Sequence, residues 1–191
     1  FIEVIQDNTM INRERFIHPK NLINLKNGVF DLETNELIPH KHNYYFQGTL
    51  ELDYDKNATC PIWEKALKGM FECEEDYIRT QKWFGYQFIR ENKEQVAHGF
   101  FGKSGSGKSK ILMILRVLLG PENVTSFQLQ EFSNPNMYAL ARLHGKYANI
   151  NYDMGTSQLK NISVFKQLTG GDPITGRNPY KEPFEFINYA K

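Results

Sequence analysis

The stretch GKSGSGKS, residues 102–109, matches the phosphate-binding pattern G-x-x-x-x-G-K-[ST] at every fixed position. Its three glycines can adopt backbone conformations that bring successive N–H groups towards phosphate oxygens, which a Cβ would hinder. The pattern gives Lys108 a charge contact with phosphate and Ser109 a hydroxyl that suits Mg²⁺. We therefore predict that a nucleoside triphosphate binds here, contacted by Gly102, Lys103, Ser104, Gly105, Ser106, Gly107, Lys108 and Ser109.

The residues on either side of this loop favour the same interpretation. Residues 96–101 form an apolar run, which predicts a short buried strand that leads into the loop. After the loop, dense apolar residues predict a buried helix that stops at Gly120-Pro121. These residues are Ile111, Leu112, Ile114, Leu115, Leu118 and Leu119. The alternative is a flexible Gly/Ser-rich loop between two core elements.

Composition limits the classes of partner and compartment. With 23 basic and 22 acidic side chains the chain is nearly neutral, so any DNA contact must be local. Cys60 and Cys73 have neither metal-ligand spacing nor a disulfide framework, which suits a reducing interior. No apolar run approaches the ~18 to 20 residues of a membrane span. The start Phe1-Ile2-Glu3-Val4 is not a signal sequence. Because the sequence begins at Phe1 without an initiator Met, we expect an excised piece of a longer polypeptide.

The sequence before the loop predicts a small β-meander followed by two helices. Residues 22–39 carry β-forming side chains around the turn dipeptide Asn27-Gly28, and Tyr44 to Phe46 are expected to continue the sheet. Pro61 suits the first turn of a helix whose apolar face extends to Phe71. The acidic run at residues 74–76 favours the start of a second helix, because it complements the helix dipole.

A second strand is predicted downstream of the loop. Residues 137–143 give a short helical pattern that ends at Gly145, and residues 147–152 then resemble a strand. Asp153 follows directly, at the C-terminal end where open α/β sheets place their ligands. Because a carboxylate there can hold Mg²⁺ directly or through water, we predict a metal or catalytic role for Asp153. The alternative is a helix cap.

The last part of the chain predicts a helix and a hairpin. Apolar residues from Val164 to Leu168 form a helical pattern that stops at Gly170-Gly171. Residues 174–186 then form a hairpin pattern, with Arg177 at its tip and Lys181 beside it. A basic tip suits contact with a DNA backbone, and the alternative is an ordinary solvated turn.

The order of these motifs resembles that of superfamily 3 helicases, in the branch of phage and plasmid primase-helicases and their poxvirus-type relatives. The resemblance covers roughly residues 22–191 of the chain. Its motifs are Asn24 to Leu32, Thr34, Glu36-Leu37, Pro39-His40, Asp53-Tyr54-Asp55 to Cys60-Pro61, Gly85-Tyr86, the loop at 102–109, Asn149 to Asp153, Phe165 to Asp172 and Tyr180-Lys181.

This resemblance implies an α/β fold, with a P-loop NTPase core of the AAA+-like type built on a parallel sheet. The implied domains are a β-rich segment at 1–58, a helical collar at 59–93 and an ATPase core at 94–191. Such motors bind ATP and Mg²⁺, assemble as a ring that is usually a hexamer, and pull single-stranded DNA through its channel. A hairpin projects into that channel, and Lys181 with Arg177 nearby occupies the matching position. The implied location is the cytoplasmic interior of a host cell.

Two departures from the family pattern affect the expected activity. Many members carry adjacent acidic residues at the end of the second strand, whereas here Tyr152 precedes a single Asp153. The chain also stops at Lys191, before the family's polar sensor residue and arginine finger, so we expect a C-terminally truncated core. Loss of such groups removes stabilisation of the transition state for hydrolysis. The competing functions are an assembly and DNA-docking module without its own hydrolysis, and a small-molecule kinase that uses the same loop.

Overall fold

The computed structural model describes residues 19–46, 48–128, 131, 136–153 and 162–191. The chain divides into two compact units, residues 1–56 and residues 57–191. The fold is mixed α/β, with a three-stranded antiparallel sheet in the first unit and a parallel pair and an antiparallel hairpin in the second. Within the described ranges, every helix is too short or too polar to reach across a bilayer.

The first unit contains the predicted β-meander, which is confirmed. Its strands pair in the order β1-β2-β3, and Leu25 pairs with Gly28 across a two-residue turn. Residues Tyr44 to Phe46 do not continue the sheet, because a 3-10 helix spans His42–Tyr44 and Tyr45 takes a left-handed conformation there. The strands are β1 (Leu22–Leu25), β2 (Gly28–Asp31) and β3 (Glu36–Ile38).

The second unit begins with the two predicted helices, α1 (Pro61–Lys68) and α2 (Glu74–Tyr86), which are confirmed. Pro61 occupies the first turn of α1, where its missing N–H costs nothing. Three acidic residues fill the first turn of α2 and complement its dipole. The rings of Trp63 and Phe84, 5.7 Å apart, join the two helices.

Helix α3 (Lys108–Leu119) begins inside the loop and ends at Gly120. Ile111, Leu115 and Leu119 are buried along one face, with at most 2% of each exposed. The opposite face is open, because Met113 and Val117 are 46% and 68% exposed. The helix is therefore amphipathic, and the prediction that it is buried holds for only one of its faces.

The parallel pair consists of β4 (Val124–Thr125) and β5 (Ala148–Asn149). Backbone hydrogen bonds continue the pairing, from Tyr147 N to Asn123 O at 2.9 Å and from Ile150 N to Thr125 O at 2.8 Å. On the other side of β5, Asn149 N donates to Lys191 O at 2.8 Å. β5 therefore forms backbone hydrogen bonds on both of its sides.

The predicted C-terminal helix and hairpin are confirmed. Helix α5 (Ile162–Gly170) precedes β6 (Pro173–Arg177) and β7 (Pro183–Ile187), which pair antiparallel. The short helix α4 (Met137–Ala141) lies earlier in the chain and packs against β6. The surrounding core consists of Phe127, Leu143, Leu168, Ile174 and Phe186.

The strand predicted at residues 96–101 is wrong, because this segment has no strand hydrogen bonding and lies largely exposed. Val96 is 50% exposed and Phe101 is 84% exposed. A cavity of about 370 Å³ is lined by Val96 and Ala97 on one side and by Asn149 and Lys191 on another. A central strand is stable only when neighbours satisfy its backbone groups, and here a cavity lies between the segment and β5.

Candidate functional site

The phosphate loop, residues 102–109, turns sharply into α3. Gly105 and Gly107 take left-handed φ values of 78° and 91°, which residues with a Cβ rarely adopt. Gly107 is also crowded, because a Cβ there would lie 2.7 Å from Met70 Sδ. The glycine spacing of the motif therefore matches a conformation that this backbone actually adopts.

The ammonium of Lys108 is surrounded by acceptors of the phosphate loop. Its Nζ donates to Gly102 O at 2.8 Å, to Lys103 O at 2.7 Å and to Ser106 Oγ at 3.2 Å. The loop thus curls around the charge that the motif assigns to phosphate binding. An anion that enters the loop would meet this ammonium and the start of α3 together.

Positive charge dominates the sequence around the loop. Between Val96 and Pro121 there is no Asp or Glu, whereas Lys103, Lys108, Lys110 and Arg116 are basic. The first turn of α3 carries no acidic residue to compete for its N–H groups. This electrostatic environment attracts an anionic ligand.

Ser109 and Asp153 are both exposed, at the second residue of α3 and shortly after β5. The backbone N–H of Asp153 donates to Asn151 Oδ1 at 3.3 Å. Within the described part of the chain, no hydrogen bond or ion pair joins Asp153 to Lys108 or Ser109. In those same ranges, no three His, Cys, Asp or Glu side chains cluster as a metal site.

The hairpin brings the two predicted DNA-contact residues to one tip. Arg177 pairs with Pro183 at the end of the ladder, and Arg177 Nε donates to Lys181 O at 2.9 Å. Tyr180, which the sequence prediction did not include, is fully exposed and takes a left-handed φ of 60°. The available signals were its place in the motif Tyr180-Lys181 and its position in a turn after Pro179.

An aromatic cluster, Trp83, His98 and Phe100, anchors the segment that leads into the phosphate loop. The Trp83 and His98 rings stack with centroids 4.7 Å apart, and Phe100 meets each of them edge-on. Desolvation, and then the charge of Arg79, lower the pKa of His98. The sequence prediction missed this cluster, since its members are separated along the chain.

Comparison with known proteins gives two family matches and one relative. Residues 5–72 match the model described as "D5 N terminal like", and residues 100–191 match a family of unknown function, DUF5906. A protein of Acanthamoeba polyphaga mimivirus named "Putative helicase L207/L206" is 28% identical over 184 residues, covering 86% of this chain and 18% of that protein. The chain thus spans about a fifth of the length of this curated relative. These similarities support a relationship to the D5-type primase-helicases.

Proposed function

We propose that the chain is part of an ATP-dependent replicative DNA helicase of a virus, phage or plasmid. The observation that carries this proposal is the phosphate loop itself, with Lys108 held at its centre and two left-handed glycines beside it. The similarity to a viral protein named as a helicase supports it. ATP hydrolysis would drive movement along single-stranded DNA.

The phosphate loop would act by exchanging its internal contacts for phosphate. Lys108 would release the carbonyls of Gly102 and Lys103 and donate instead to the β- and γ-phosphates. The Ser109 hydroxyl and the Asp153 carboxylate are hard oxygen donors of the kind that Mg²⁺ prefers. Bound Mg²⁺ would offset the charge of the phosphates. Asp153 would either ligate it or orient the water that attacks the γ-phosphate in line.

The fold around the loop would be an AAA+-like P-loop core with a parallel sheet. The parallel pair β4–β5, with Lys191 on its other side, supports this interpretation. The β-rich segment and the collar, α1 and α2, would precede the core. The assembled protein would be a homo-oligomeric ring, usually a hexamer in such motors.

The hairpin tip would contact the DNA strand. Lys181 and Arg177 supply positive charge at one end of β6 and β7, and the exposed Tyr180 adds an aromatic face. Such pairings of charge and aromatic surface suit single strands, because bases can stack while phosphates meet cations. Glu182 and Glu185 on the same hairpin would limit the net attraction.

The test measures ATP·Mg²⁺ binding and hydrolysis by the chain and by its Lys108→Ala variant. We expect binding to weaken at least about tenfold, since one charge contact with phosphate is lost. Lys82→Ala, an exposed change on α2, serves as the matched control and should bind as the original chain does. ATP binding that is unchanged in Lys108→Ala, or ATP hydrolysis that survives in it, would refute the proposal.

A docking module without its own hydrolysis is the second candidate. The observation that favours it is the lack of contact between Asp153 and the loop within the described residues. Binding of ATP and DNA without measurable turnover, both in this chain and in a chain extended beyond Lys191, would favour this alternative.

A further inference from the structure

A second cavity lies beside the phosphate loop, between α1 and α3. It has a volume of about 580 Å³, and we call it the α1–α3 slot. Carbon atoms dominate its walls, and among the residues that the structure describes Lys110 is the only charged one that lines it. The lining residues are Thr59, Cys60, Pro61, Ile62, Trp63, Ala66, Met70, Lys110 and Ile114.

The slot is continuous with the phosphate loop. Met70 lines the slot and also lies against Gly107, the glycine directly before α3. Lys110 lines the slot from the first turn of α3, two residues after Lys108. The slot and the loop therefore share Met70 as a neighbour and meet at the first turn of α3.

The direction of a bound nucleotide follows from the motif. The loop N–H groups cradle the α- and β-phosphates, while the lysine reaches the β- and γ-phosphates. The γ end thus lies at Lys108, and the nucleoside leaves the loop from the α-phosphate. The slot adjoins the end of the loop at Gly107 and the first turn of α3 at Lys110, and its walls are mostly apolar.

The slot offers the surface that a heteroaromatic base requires. Trp63 is half-buried and is held in place by its ring contact with Phe84. Ile62 lines the slot and is 86% exposed, so its aliphatic side chain is open to contact with a ligand there. Desolvation, and then Glu64, raise the pKa of Cys60, so this thiol stays neutral in the slot wall.

We propose that the α1–α3 slot binds the purine base of the nucleotide whose phosphates occupy the phosphate loop. The inference rests on the proposed function, because it requires a nucleotide in that loop. The slot volume of about 580 Å³ easily accommodates a two-ring base. Residues of the collar helix α1 would thereby select the base, while the loop selects the triphosphate.

The first experiment compares the affinities for ATP and for inorganic triphosphate, each with Mg²⁺. We expect ATP to bind more tightly, on the order of tenfold, because stacking and apolar burial of a base give that gain. Ala66→Phe, which fills the slot at an exposed helix position, should remove this advantage and leave triphosphate binding unchanged. Lys65→Phe is the matched control, since Lys65 is exposed on α1 but does not line the slot.

The outcomes separate the two proposals. If neither ligand binds, or Lys108→Ala changes neither affinity, the proposed function fails. If triphosphate and ATP bind equally, or Ala66→Phe leaves their ratio unchanged, only the slot assignment is overturned. CTP that binds as tightly as ATP would overturn the preference for purines.

Alkylation of the two cysteines gives an independent readout. Cys60 lines the slot, whereas Cys73 does not, and both are exposed free thiols. We expect ATP to slow maleimide labelling of Cys60 and not of Cys73, and triphosphate to protect neither. Equal labelling of Cys60 with and without saturating ATP would overturn the slot assignment.

Discussion

Met70 lies directly over Gly107, so close that a Cβ on Gly107 would stand 2.7 Å from its Sδ and 2.9 Å from its Cε. This contact links the segment after α1 to the last turn of the phosphate loop. Gly107 is therefore fixed by two independent constraints, its left-handed φ and the thioether packed on it. The segment after α1 and the phosphate loop are consequently packed against each other.

The first prediction compares two glycines of the loop. Gly107→Ala should lower the free energy of unfolding by about 2–4 kcal/mol, because conformational strain and overpacking add. Gly105→Ala should cost about 1 kcal/mol, since its left-handed φ is strained but its Cβ would meet only open space. Urea denaturation measures both values.

The double variant Gly107→Ala/Met70→Ala separates the two constraints at Gly107. Relative to Met70→Ala alone, the glycine change should then cost about as much as Gly105→Ala. An unchanged cost in this background would show that Met70 does not crowd Gly107.

The second prediction concerns the hairpin tip. Lys181→Ala should weaken single-stranded DNA binding and reduce the slope of log affinity against log salt by about 0.7, the value for one phosphate contact. Arg177→Ala should weaken binding further, because it also releases the Lys181 carbonyl that Arg177 holds. Fluorescence anisotropy across a salt series measures both, with the exposed Lys166→Ala as control. A salt slope that neither change alters would remove the tip from the DNA interface.

The third prediction concerns acid stability. The pKa of His98 is lowered from 6.5 in the folded chain, first by desolvation and then by Arg79. Between that lowered pKa and 6.5 the unfolded state binds more protons, so the free energy of unfolding rises with pH and is lost on acidification. Urea unfolding followed by Trp fluorescence at about pH 5 to 8 measures the slope. His98→Gln should reduce this dependence of the unfolding free energy on pH, whereas the control His42→Gln should leave it unchanged. A dependence that His98→Gln leaves unchanged would contradict the assignment to His98.

The fourth prediction concerns alkaline stability. Lys191 donates to the carbonyl of Ile89 and lies 4.7 Å from the Tyr86 ring. Burial lowers its pKa from 10.5 to about 8, and Glu91 partly offsets this effect. The unfolded state therefore binds more protons between about pH 8 and 10.5, and the free energy of unfolding should rise with pH over that window.

Lys191→Met tests this assignment by removing the buried charge. The variant should be more stable than the original chain below pH 8 and should lose the alkaline rise. The exposed Lys166→Met controls for a general loss of surface charge. An alkaline rise of the same size in Lys191→Met would show that other groups cause it.

Local sequence signals predicted much of the fold because their causes are local. Asn27-Gly28 marks the β1–β2 turn, Pro61 marks the start of α1, and Gly170-Gly171 marks the end of α5. In each case the cause lies in the residue itself, because glycine permits a turn and proline fixes φ without help from distant parts of the chain. The glycines of the phosphate loop belong to the same class, since their positive φ values follow from the motif.

The remaining features depend on packing between distant residues. Apolar residues 96–101 satisfy the pattern for a strand, but a strand needs a partner, and pattern alone does not supply one. The α1–α3 slot depends on Met70 meeting Gly107, which are far apart in the sequence. Tyr44 to Phe46 have high strand propensity, yet a left-handed Tyr45 follows a 3-10 helix there.

The three acceptors around Lys108 Nζ also have a kinetic consequence. Through these hydrogen bonds the ammonium keeps the loop curved before any anion binds. When a polyphosphate binds, its oxygens would replace the loop acceptors as hydrogen-bond partners of the Lys108 ammonium, which already lies in the loop. Such a site needs little ordering on association, so capture should be fast and the lifetime of the complex should set its affinity.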